Sequence, residues 1–131
     1  MIKKIESQDM LADFDADKSN LLLEAMVLLG TGNPEEAIER FALAAPMEVR
    51  IARYYSRNGE PIMAAKHRLS AAICYAKSGS LRDALKLFTA LGRDVKTPEL
   101  YKEDALYWLT RIRQLLREVL QPVEEELQQA A

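Results

Sequence analysis

Gly32-Asn33-Pro34-Glu35-Glu36-Ala37-Ile38-Glu39-Arg40-Phe41-Ala42-Leu43-Ala44 and Gly79-Ser80-Leu81-Arg82-Asp83-Ala84-Leu85-Lys86-Leu87-Phe88-Thr89-Ala90-Leu91 are one design written twice. Each opens on a glycine, the residue that takes a left-handed backbone at a helix end without steric cost. A capping residue follows, Asn33 or Ser80, with an acidic side chain three positions on, Glu36 or Asp83, as in a capping box. Pro34 suits the first helical turn, where its missing N–H costs nothing. An amphipathic helix then places a small residue and, four later, a phenylalanine on one face: Ala37 and Phe41, Ala84 and Phe88. The alignment extends upstream to Ala25 with Ala72 and Leu28 with Tyr75, so the unit is a helix, a glycine turn and a second helix.

Working outward, helical spacing of Met10, Leu11 and Phe14 predicts a short first helix from Ser7 to about Asp15. The acidic run Asp13, Asp15 and Asp17 opposes the helix dipole and should end it. A second helix starts at Asn20 and stops at Gly30-Thr31-Gly32. The third stops at Pro46, and a fourth runs from Met47 to Arg57. Gly59-Glu60-Pro61-Ile62-Met63-Ala64 repeats the glycine-to-alanine spacing and opens a fifth helix to about Ser78. The sixth ends at Leu91-Gly92, and residues 93–97 form a polar loop. Thr97-Pro98-Glu99 starts a long last helix that Pro122 should kink or break. No stretch has the alternation of a strand. The expected fold is an all-α, antiparallel helical-hairpin array of about seven helices with a long C-terminal capping helix. It forms a single domain, 1–131, divided into an N-terminal segment 1–18, hairpins 19–92 and the C-terminal helix 98–131.

Composition fits one soluble domain: 131 residues, 49% hydrophobic and 29% charged. No apolar run is long enough to span a bilayer, and residues 1–6 lack the apolar core of a signal peptide. With a lone Cys74, which cannot pair internally, this points to the cytoplasm. Net charge is −2 but uneven: −5 over residues 1–46, +6 over 47–93 and −3 over 94–131. There is no basic excess of the kind that marks a nucleic-acid partner.

Small residues where antiparallel helices approach, a glycine turn and Ala-x-x-x-Phe together resemble the tetratricopeptide repeat, over residues 20–45 and 65–92. The two glycines lie 47 residues apart, against the family's spacing of about 34, and Leu21 and Arg68 stand where the family has a bulky Trp. The resemblance implies a scaffold whose groove holds a peptide or a partner helix. One subclass clamps chaperone C-termini through Asn and Lys side chains. The corresponding positions here, Leu22, Met26, Leu69 and Ile73, are apolar, so that role is not expected.

The sharpest constellation is basic. Arg50, Arg53 and Arg57 share one helix face, with Lys66 and Arg68 on the next helix and Tyr54 beside them, a set suited to an acidic peptide, phosphate or RNA backbone. The last helix carries an apolar stripe, Tyr101, Trp108, Ile112, Leu115, Leu116 and Val119, continued by Leu120, that either caps the array or forms a homodimer or docking face. His67 stands between Lys66 and Arg68 and is read as a surface or groove residue that cannot build a His–carboxylate metal pair. Cys74 is read as a buried hydrophobe. No phosphate loop, nucleophile elbow or metal-ligand spacing is present in the sequence, so neither cofactor nor metal is expected. The expected function is a non-enzymatic scaffold or adaptor that binds another protein or peptide. The alternatives are an assembly chaperone shielding an apolar client segment, and a nucleic-acid-binding domain using the basic stripe.

Overall fold

Helix α1 spans Gln8–Gly30, α2 Pro34–Arg57, α3 Pro61–Lys77, α4 Leu81–Arg93 and α5 Glu99–Ala130. They are seen in a computed structural model that describes residues 4–130, apart from the side chains of residues 120 and 122–124. Among the described residues there is no strand. Among the described residues five helices replace the expected seven, because two pairs of expected helices are continuous. The acidic run does not end α1: Lys18 turns inward and pairs with Asp15, so the helix continues through it. Pro46 lies inside α2. A mid-helix proline costs roughly 3 kcal/mol, but the helix continues through it, with Ala44 and Ala45 buried before it and Glu48, Ile51 and Ala52 buried after it. The backbone of α5 likewise passes Pro122 without a break.

The three turns are copies of one another. Gly32, Gly59 and Gly79 have φ of 79°, 73° and 86°, a region that strains any side chain. In each, the glycine N–H reaches back to the preceding helix (Gly32 to Leu29, Gly59 to Ser56, Gly79 to Ala76). The next N–H closes a longer loop, Asn33 to Leu28 at 2.8 Å, Glu60 to Tyr55 at 2.9 Å and Ser80 to Tyr75 at 2.9 Å. This is the Schellman pattern, and a side chain reinforces each turn: Thr31 Oγ1 donates to the Val27 carbonyl, Asn58 Nδ2 to that of Tyr54 and Ser78 Oγ to that of Tyr75. The expected side-chain caps are not formed. Asn33 donates instead to the Thr31 hydroxyl at 3.0 Å, and Ser80 makes no capping bond. The true side-chain cap is Ser7, whose hydroxyl accepts from Met10 N–H at 3.1 Å.

Turns this short force neighbouring helices to pack antiparallel. Each helix rests on its chain neighbours, and α3 also touches α5; among the described residues α1 packs only on α2. The repeat equivalences appear directly in the core. Ala25, Ala37 and Phe41 centre one buried cluster, and Ala72, Ala84 and Phe88 the other. The alanines let helix axes approach closely, and each phenylalanine fills the space beside them.

Candidate functional site

Behind one side of the fold lies a buried ionic network that no single helix could hold. Glu48, 1% exposed on α2, takes Lys18 Nζ of α1 at 3.2 Å and His67 Nδ1 of α3 at 3.1 Å on the same oxygen. Lys18 Nζ also lies 3.0 Å from Asp15, whose side chain is half exposed. Burial alone would raise the Glu48 pKa, but hydrogen bonds with His67 and Ser70 and the Lys18 charge outweigh it and hold the carboxyl below its ordinary range. For Lys18, burial pulls the other way, and Asp15 with Glu48 keeps the ammonium raised. An ionised Glu48 only accepts, so His67 must carry its proton on Nδ1. The ring of Tyr55 stacks on the imidazole, 5.4 Å between centroids and 13° between planes.

This corrects the surface reading of His67: it is buried and forms a His–carboxylate pair. Asp15, Glu48 and His67 bring three ligand atoms within 4.8 Å of one another, the spacing of a metal site. The Lys18 ammonium, however, already bonds both carboxylates. The arrangement ties α1 to α2 by charge and α2 to α3 by a hydrogen bond.

Tyr55 and Asp15 also border open space. A groove of about 620 Å³ runs between the start of α1 and the end of α2, lined by Gln8, Leu11, Ala12 and Asp15 on one side and Tyr54 and Tyr55 on the other, with Asn58 and Glu60 at its end. Tyr54 and Tyr55 meet edge to face at 5.8 Å. Burial first, and then the nearby Asp15 and Glu60, raise the Tyr55 pKa, with Lys18 opposing them. Next to it, residues 4–6 pass over Tyr54, Arg57 and Asn58.

The predicted basic set is only partly brought together. Arg50 lies over the ring of Phe14, 5.5 Å from its centroid, and Arg57 Nη2 donates to the Ile5 carbonyl at 2.6 Å, so both hold the chain's own N-terminal part. Arg53 and Lys66 are exposed and have no ion-pair partner among the described residues. Arg68 turns to Asp94 in the α4–α5 loop, at 3.9 Å, and lines a separate cavity of about 300 Å³ with Ser56 and Thr97.

The C-terminal stripe divides in the same way. Trp108 stacks on Phe88 at 5.9 Å, Ile112 is buried in the core, and Tyr101 and Leu116 pack against it; these four cap the α3–α4 hairpin. Leu115 and Val119 face outward, with Leu106 and Tyr107. The Leu120 side chain lies outside the described residues. A second exposed apolar face went unnoticed in the sequence: Leu23, Met26 and Val27 on the outer side of α1, each more than half exposed. Their i, i+3, i+4 spacing was the signal, hidden because the whole segment is apolar. Lys18 and Glu48 were missed for the opposite reason, as charges at positions where apolar residues were expected.

The chain matches no protein-family model, and comparison with curated proteins and with solved structures returns no match either.

Proposed function

We propose that the chain is a non-enzymatic adaptor, built as a tetratricopeptide-like array of helical hairpins, that binds a segment of another protein in the groove between α1 and the end of α2. The observation that carries this is the groove itself. It offers two tyrosine rings, an apolar wall from Leu11 and Ala12, and hydrogen-bond acceptors on Asp15 and Glu60. Interfaces favour tyrosine because it supplies contact area at little entropic cost. The network beneath fixes Tyr55 through its stack on His67, so the groove wall is preorganised. The Glu48–His67 pair has a structural task, with its carboxylate shared by Lys18, which supports the non-enzymatic reading. The turn and core equivalences between the two hairpins support the repeat-like reading.

The test is site-specific photocrosslinking in native extract, with the crosslinker at Ala12 in the groove and, as a control, at Lys86 on exposed α4. A partner captured at residue 12 alone, whose purified form binds the wild type and loses at least tenfold affinity to Ala12→Arg, would support the proposal. Equal capture at both positions, or binding indifferent to Ala12→Arg, would reject it.

A further inference from the structure

Residues 4–7, just ahead of α1, are not helical, yet they carry one of the most deeply buried side chains among the described residues. Ile5 is 1% exposed while its neighbours Lys4 and Glu6 are exposed. Ile5 belongs to neither of the two core clusters. It is held at the periphery, where Arg57 donates to its main-chain carbonyl at 2.6 Å. A buried side-chain anchor, a clamped backbone carbonyl and solvent-exposed flanks are the features by which a receptor holds an extended peptide. A small open cavity bordered by residues 4–6 shares Tyr54 and Asn58 with the groove, so the buried Ile5 lies next to it.

Resting on the reading of that groove as an interaction site, we propose that the Ile5 notch is its anchor pocket, occupied in this state by the chain's own residues 4–6. The partner it fits is an extended peptide with a β-branched aliphatic residue whose carbonyl accepts from Arg57. The chemistry argues for this occupant over an acidic or phosphorylated one. Arg57 is spent on a neutral carbonyl, and no cationic side chain is among the residues lining the adjoining groove, where Glu60 is acidic and Asp15 is already paired with Lys18. A β-branched side chain also loses little rotamer freedom on insertion. Because residues 4–6 are tethered beside the notch, their effective concentration there is of millimolar order, so they act as a built-in competitor. A partner must displace them, and any change that frees Ile5 opens the pocket.

The experiment uses the full chain and a fluorescein-labelled synthetic peptide spanning residues 2–9, followed by polarisation. Ile5→Asp, which cannot seat its own segment, should bind the peptide at least tenfold more tightly than wild type. A peptide in which its isoleucine at position 5 is alanine should bind at least tenfold more weakly. Adding Arg57→Ala to Ile5→Asp should weaken binding about tenfold, the loss of one charge-assisted hydrogen bond. If Ile5→Asp loses its helical circular dichroism, Ile5→Ala takes its place. Equal affinity for wild type and the released variant, indifference to the anchor residue, or no binding to a folded released variant would each overturn the proposal. A partner that crosslinks at Ala12 and leaves Ile5 protected from exchange would retain the adaptor reading while sinking this one.

Discussion

Lys18 of α1 and Glu48 of α2 meet at 3.2 Å inside the protein, both with less than a tenth of their surface exposed. Each interrupts an otherwise apolar helical stripe, and each interruption answers the other. The pair makes α1 and α2 specific for one register. A slide of one turn would bury one charge against alkane, at a cost of several kcal/mol.

That pair can be measured. Lys18→Met should destabilise the fold by about 3 kcal/mol, because it removes the full positive charge beside a buried carboxylate. Combining it with Glu48→Gln should recover part of the loss. A double-mutant cycle from urea denaturation gives the coupling, and strictly additive effects would show that the two side chains do not stabilise each other.

The network also sets how stability varies with pH. Glu48 titrates below its ordinary 4.5 when folded, so its contribution is complete above that value and is lost as pH falls through the folded pKa. Lys18 titrates above its ordinary 10.5, so its contribution is complete below that value and is lost as pH rises through the folded pKa. Unfolding free energy measured from pH 6 down to 2 should therefore fall more steeply for wild type than for Glu48→Gln. Parallel curves would contradict this assignment.

The same substitution should have opposite effects at two glycines. At Gly79 (φ 86°) no atom crowds the added methyl, so Gly79→Ala costs only the backbone strain, about 1–2 kcal/mol. Gly92 lies within α4, also uncrowded, and Gly92→Ala should stabilise by up to about 1 kcal/mol. Thermal melts of the two variants should move in opposite directions.

Burial pushes the Cys74 thiol up to about 11. The thiolate is the reactive form, so at pH 8 native protein should react with a thiol reagent at least tenfold more slowly than protein in denaturing urea. Rapid labelling of the folded chain would mean that the first core cluster opens readily.

Much of the fold was legible in the sequence because its rules are local. The glycine at each turn, the alanines at close approaches and Phe41 and Phe88 each announce themselves by spacing, and α3 and α4 start within a residue or two of expectation. What could not be read locally was long-range compensation. Asp13, Asp15 and Asp17 argue against a continuing helix until Lys18 is seen to face Glu48. Pro46 argues for an end until the buried face running from Ala44 to Ala52 is seen whole. The candidate site suffered in the same way: Arg50 and Arg57 looked free because Phe14 and the Ile5 carbonyl, their partners, lie far away in sequence.

Tyr75 packs against both core clusters, and Cys74, its neighbour on α3, belongs to the first. Such sequential packing keeps contacts short in sequence, which favours fast folding, but it also invites a linear array to melt piecemeal from its ends. Here α3 works as a keel laid through both halves. The first hairpin cannot peel away without stripping cover from Tyr75, and the second cannot loosen without doing the same. The helices thereby acquire a reason to unfold in one step, and truncating Tyr75 to alanine is where that single transition should first split into two.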